Sequence, residues 1–62
     1  MLSIILNGEP RSIRHGSTIA DLAAEIGLDP KKVAVERNLE IVPRSAYPAT
    51  EVTDGDRFEI VR

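Results

Sequence analysis

The chain has 62 residues, no cysteine, no tryptophan, a single histidine at His15, and only Tyr47 and Phe58 as aromatics. A domain this short buries only about 60% of the surface its unfolded chain exposes, and without thiols neither disulfides nor a thiolate metal site can reinforce it. Stability therefore rests on aliphatic packing, while eight Lys and Arg against ten Asp and Glu leave a net charge of -2 and no overall positive field to gather nucleic acid or anionic lipid.

No apolar run approaches the roughly 20 residues that cross a bilayer, and Met1 to Leu6 is too short for a signal-peptide core and has no basic residues before it. A single cytoplasmic domain over residues 1–62 is expected, with no membrane partner. Leu2, Ile4 and Leu6 alternate with Ser3 and Ile5, the pattern of a strand with one apolar face. Asn7-Gly8 follows as a type I′ hairpin signal, and a second strand is predicted over about Glu9 to Arg14. Pro10 cannot donate to a ladder, so it must sit at a strand start or on an unpartnered side, with Ile13 as the inward anchor.

His15-Gly16-Ser17 is read as a turn. Thr18 is the expected N-cap of a helix, with Asp21 three positions on to complement the exposed amides. Ile19, Leu22, Ala23 and Ile26 form one apolar stripe, which predicts about two and a half helical turns. Gly27 is placed to close the helix in a left-handed conformation, with Leu28 folding back beyond it. Asp29-Pro30-Lys31-Lys32 turns the chain into a third strand over Val33 to Arg37. A turn at Asn38-Leu39 leads to a short strand at Glu40-Ile41-Val42, which Pro43 ends. Arg44 to Thr50 lacks periodicity and is expected to be a compact loop with one 3₁₀ turn around Ser45 to Tyr47. Thr53-Asp54-Gly55-Asp56 is another turn, and Arg57 to Arg62 a final strand with Phe58 and Ile60 on one face.

Strand, strand, helix, strand, short strand, strand in so few residues implies an α+β fold. The first hairpin lies beside the last strand, the chain crosses over through the helix in the right-handed sense, and the helix packs across one face of a mixed sheet. This is the β-grasp arrangement, although element order alone does not separate it from every small α+β topology. The segments Leu6-Asn7-Gly8-Glu9-Pro10, Thr18-Ile19-Ala20-Asp21-Leu22, Gly27-Leu28-Asp29-Pro30, Val33-Ala34-Val35-Glu36, Ile41-Val42-Pro43-Arg44 and Asp54-Gly55-Asp56-Arg57 add a resemblance. In this order and spacing they resemble the ThiS family, the ubiquitin-like sulfur carriers of thiamine biosynthesis. Each segment alone is unspecific; together they run from the first strand to the last.

The resemblance implies a β-grasp (ubiquitin-like) carrier and not an enzyme. In the family the chain ends in a flexible Gly-Gly tail whose carboxylate is activated by an adenylating, E1-like enzyme, converted to a thiocarboxylate and used by thiazole synthase. Those two enzymes are the implied partners, and no cofactor of its own is implied. The sequence departs from the family at its end, Phe58-Glu59-Ile60-Val61-Arg62, where no Gly-Gly stands. A carboxylate on Arg62 would sit at the sheet's end, short of a partner's nucleotide site by about 3.5 Å for each missing residue. A shortened chain or a lost tail is the expectation, and as written the chain is expected to be inert in sulfur transfer. A second departure is Leu39, where the family often has glycine. Leucine takes a positive φ only at a cost, so a type I′ turn is not expected there; either the turn is longer or Leu39 is an exposed contact residue.

Candidate sites are sparse. His15 has no second ligand or catalytic partner and reads as a solvent-facing turn residue. Asp54 and Asp56 flank Gly55 as in a fragment of a calcium loop, but the remaining ligand positions are absent; turn chemistry accounts for them. Gly8, Gly16, Gly27 and Gly55 form no phosphate-cradling cluster. Lys31, Lys32, Arg37, Arg44, Arg57 and Arg62 read as scattered solvated charge, because stacking aromatics are nearly absent and nucleic-acid binding is not expected. With Leu2, Ile4 and Leu6 turned inward, Ile5 points to the outer face of the sheet, as does Val61 if Phe58 and Ile60 lie under the helix. Ile5, Arg57, Val61 and Arg62 are thus the candidate partner-binding residues, on a chain expected to be monomeric alone. Two alternatives stay open: a non-catalytic β-grasp interaction module, and a sulfur carrier for another pathway such as molybdopterin synthesis.

Overall fold

The structure, a computed structural model, describes residues Met1–Arg62. Leu2–Leu6 (β1) and Glu9–Ile13 (β2) form an antiparallel hairpin. Asn7 and Gly8 close it at φ 51° and 83°, the two left-handed conformations a type I′ turn requires. Leu6 and Glu9 flank the turn, so the next pair, Ile5 and Pro10, turns its backbone nitrogens away from one another. The N–H of Ile5 accordingly donates across to the Asp56 carbonyl at 3.0 Å, and the nitrogen that Pro10 leaves without hydrogen faces the free edge of the sheet, where no donor is needed.

The helix α1, Ile19–Glu25, starts in the capping box the sequence announces. Thr18 Oγ1 accepts from the Asp21 N–H at 3.2 Å, and Asp21 Oδ2 accepts from the Thr18 N–H at 2.9 Å. It ends one residue sooner than its apolar stripe, with Ile26 already the C-cap. The stop is a Schellman arrangement: Gly27, at φ 83°, donates to Ala24 and Leu28 donates to Ala23, both at 3.0 Å. Asp29 then caps a 3₁₀ turn over Pro30–Lys32 by accepting from the Lys31 N–H at 2.9 Å.

Ala34–Arg37 (β3) and Glu40–Val42 (β4) pair antiparallel, a 3₁₀ segment spans Arg44–Ala49, and Arg57–Val61 (β5) closes the fold. The five strands stand in the order β2-β1-β5-β3-β4, with β5 parallel to β1 and antiparallel to β3. This is the expected β-grasp sheet, with the helix across one face. Phe58, on the central strand, is fully buried with Ile13, Ile19 and Leu22. The core of 12 hydrophobic residues also takes in Tyr47 and Val52 from the long return connection. Tyr47 keeps its hydroxyl satisfied there by donating to the Val33 carbonyl at 3.1 Å, as a buried phenol must.

The connection from β3 to β4 corrects the sequence reading. Arg37 pairs directly with Glu40, which leaves only Asn38 and Leu39 to reverse the chain, at φ 51° and 71°. A two-residue link between twisted antiparallel strands fits only a primed turn. The geometry therefore imposes a left-handed conformation on Leu39 despite a steric cost of about 1–2 kcal/mol. Asn38 is held there firmly. Its N–H donates to the Arg57 carbonyl at 2.8 Å and its Oδ1 accepts from the Arg57 N–H at 2.9 Å.

Leu39→Gly should relieve this strain and raise unfolding free energy by about 1 kcal/mol. Leu39→Ala retains a Cβ and should bring no such gain; chemical denaturation of the two variants decides the point.

Candidate protein-docking face

Alternation along the strands leaves one side of the sheet uncovered by the helix. On β5, Phe58 and Ile60 point into the core and Arg57, Glu59 and Val61 point out. Ile5, the candidate on β1, lies opposite Arg57 and beside Pro10, and is half-buried. Val61 is 59% exposed and lies opposite Ala34. Arg62 follows it, exposed. The structure therefore brings Ile5 and Arg57 together and Val61 and Arg62 together, but the two pairs are separated by about 13 Å along β5.

Two further aliphatics are exposed: Leu39, which the sequence offered as an exposed contact residue, and Ile41, which it did not single out. Ile41 is 82% and Leu39 84% exposed. Ile41 and Val42 are adjacent on a three-residue edge strand, so one must face out, and only the register reveals which. Val42 pairs with the buried Val35, and Ile41 pairs with the outward Glu36. Exposure of Leu39 follows from the turn it occupies.

The electrostatics of the sheet are set at the entrance to β5. Asp56 is the one buried charged residue, 6% exposed. Its carboxylate accepts from Arg37 Nε at 2.9 Å, from the Thr53 N–H at 2.8 Å and from Asn38 Nδ2 at 3.1 Å. Arg37 also reaches Asp56 through Nη2 at 2.9 Å, the chain's sole ion pair, and donates to Thr53 Oγ1 at 2.9 Å. Asp54 does the corresponding work on the other flank, accepting from the Ser3 N–H at 2.7 Å. Both aspartates thus serve the turn, as their sequence context suggested. Arg37 and Arg44 leave the set of scattered charges: the first pairs with Asp56, and the second donates from Nε to the Val33 carbonyl at 3.2 Å. His15 is exposed in its turn. No group of three or more His, Asp or Glu converges as a metal site, and no helix is long and apolar enough to cross a membrane.

The far end of β5 is pinned by a side chain. Asn7 Oδ1 accepts from the Ile60 N–H at 2.8 Å, and Asn7 Nδ2 donates to the Ile60 carbonyl at 3.2 Å. The amide thereby imitates one more strand residue after β1 has turned into its hairpin, and the strand runs to the exposed Val61, one residue short of the Arg62 end expected from the sequence.

The ThiS family model matches residues 4–62. The thiazole synthase of Paramagnetospirillum magneticum is 50% identical over 60 residues, covering 97% of this chain but 18% of that protein. The sulfur carrier protein ThiS of Thermus thermophilus is 39% identical over 56 residues, covering 90% of this chain and 86% of its own. In structure, the thiamine biosynthesis protein ThiS of Geobacter metallireducens superposes with a TM-score of 0.84 at 28% identity, covering 97% of this chain and 91% of that one. The chain spans about a fifth of the length of the thiazole synthases it matches (18%).

Two outcomes follow from the pinning of β5. Asp56→Ala strands the partly buried Arg37 and should cost about 2–3 kcal/mol, against less than about 1 kcal/mol for Thr53→Ala, as read by urea unfolding. Asn7→Ala should speed amide hydrogen exchange at Ile60 far more than at Phe58, because only the former loses its acceptor.

Proposed function

The chain belongs to the ThiS family, and from that premise we propose that it is a sulfur carrier of thiamine biosynthesis, a folded handle that enzymes recognise and not itself an enzyme. The observation that carries this reading is the likeness to the separate ThiS of Thermus thermophilus over nearly the full length of both chains. In such a carrier the terminal carboxylate attacks the α-phosphorus of ATP on an adenylating enzyme and pyrophosphate leaves. A sulfur donor then displaces AMP from the acyl carbon, and the resulting thiocarboxylate serves thiazole synthase. A carboxylate accepts no nucleophile until it becomes such a mixed anhydride.

The handle has the features this chemistry asks for. Asn7 and the Asp56 cluster fix both ends of β5, so the strand that leads to the reacting terminus leaves the core in a defined direction. Glycines beyond such a strand carry no side chains to obstruct a narrow channel. Ile5, Arg57, Val61 and Arg62 supply contacts to the adenylating enzyme on the side not occupied by the helix.

The likeness to a thiazole synthase over 18% of its length favours a second reading, in which the same carrier unit is joined in one polypeptide to the synthase it supplies. The intact mass of the protein expressed from its native gene separates a free carrier from a joined one.

With Gly-Gly appended after Arg62, the chain should be adenylated by the activating enzyme of its own genome, releasing pyrophosphate from ATP. Absence of any ATP-dependent adenylate would refute the carrier reading. Val61→Glu should weaken binding of the activating enzyme by roughly tenfold, about 1.4 kcal/mol, with Ile5→Glu acting in the same direction.

A further inference from the structure

The outer face of the sheet carries a repulsive pair at its centre. Glu36 on β3 and Glu59 on β5 are directly opposed in the antiparallel register, both pointing away from the core and both exposed. Residues so placed have Cβ atoms about 5 Å apart, and like charges there destabilise a sheet. Neither carboxylate is in an ion pair, the chain's sole one being Arg37 with Asp56. Arg57, outward on the same strand, lies two residues away opposite Ile5. Aliphatic side chains border the pair on two sides: Ile41 is opposite Glu36 on β4, and Ala34 and Val61 are opposite one another in the neighbouring row, with Ile41 and Val61 among the most exposed large hydrophobics.

Like charges directly opposed do not stabilise a sheet, so a use for the pair lies outside the fold. We infer that Glu36 and Glu59, bordered by Ile41, Ala34 and Val61, form the docking site for a protein surface that presents an arginine or lysine among apolar side chains. One guanidinium placed between the two carboxylates would turn repulsion into two charge-assisted hydrogen bonds, while the aliphatic border removes water from around them. The same charges repel phosphate, which separates this face from a nucleic-acid or anionic-lipid surface. The inference rests on the carrier reading, and the partner it commits to is the activating enzyme, already proposed to contact Val61 on this face.

The test is calorimetric titration of the chain against the activating enzyme and, separately, the thiazole synthase of its own genome, at 50 and 300 mM NaCl, where the Debye length is about 14 and about 6 Å. The doubly substituted Glu36→Gln, Glu59→Gln chain should melt above the parent and bind the activating enzyme at least tenfold more weakly at low salt, with the difference shrinking at high salt. Glu25→Gln, a single charge change on α1, away from this face, should leave binding unchanged. If the double variant binds the activating enzyme as tightly as the parent, is no weaker than Glu25→Gln, or weakens only toward the thiazole synthase, the docking site is refuted while the carrier reading stands. If the parent binds neither enzyme, the carrier reading fails and takes this inference with it.

Discussion

Everything in this small fold depends on the parallel pairing of β1 with β5, which joins the two ends of the chain at the centre of the sheet. The backbone register between them contains only two residue pairs, Ile5 with Arg57 and Leu6 with Phe58. Side chains and turns lengthen the seam in both directions: Asn7 takes both polar groups of Ile60, and Ser3 is held by Asp54 and by the Gly55 N–H at 2.7 Å. Parallel pairing closes a loop of some fifty residues and repays that entropy only after the rest has formed. Polar clamps at each end of a short ladder are a physical answer to that delay, and they place Phe58 where helix, hairpin and return loop all meet it.

Much of this architecture was legible because its signals are local. Asn7-Gly8, the Thr18 and Asp21 capping box, Gly27 and Pro43 each act within a few residues of where they stand, and each does in the structure what its chemistry requires. Leu39 shows where local reasoning stops. Its side chain argues against a left-handed conformation, and the argument is sound for a leucine considered alone. It yields to a register in which only two residues are available to turn the chain. The helix end shows the same competition in reverse: the apolar stripe continues to Ile26, but the backbone is already committed to the Gly27 stop.

The site was less legible than the fold, for a related reason. Outward placement of Ile5 and Val61 follows from alternation, but the distance between them depends on how β1 and β5 are offset, which no single strand records. The facing of Glu36 and Glu59 likewise exists only once β3 and β5 are paired. Asp56 was correctly read as a turn residue, yet its larger part, gathering Arg37 and Asn38 from a different hairpin, is a contact between distant segments. Family likeness supplied what register could not, since the proposed carrier role is attached to a strand whose own residues carry no reactive group.

Pro10 and the brevity of β4 have a consequence for how such a unit can live beside others. The two outermost strands of an open sheet are templates for pairing with any further strand. Here one edge bears a residue with no hydrogen to offer, and the other runs for three residues before Pro43 ends it. Neither edge can recruit a long foreign strand. A unit blunted in this way can be tethered at high local concentration to a larger neighbour, or produced in quantity on its own, without its sheet fusing to the next one, so colloidal independence is built into the two edge prolines.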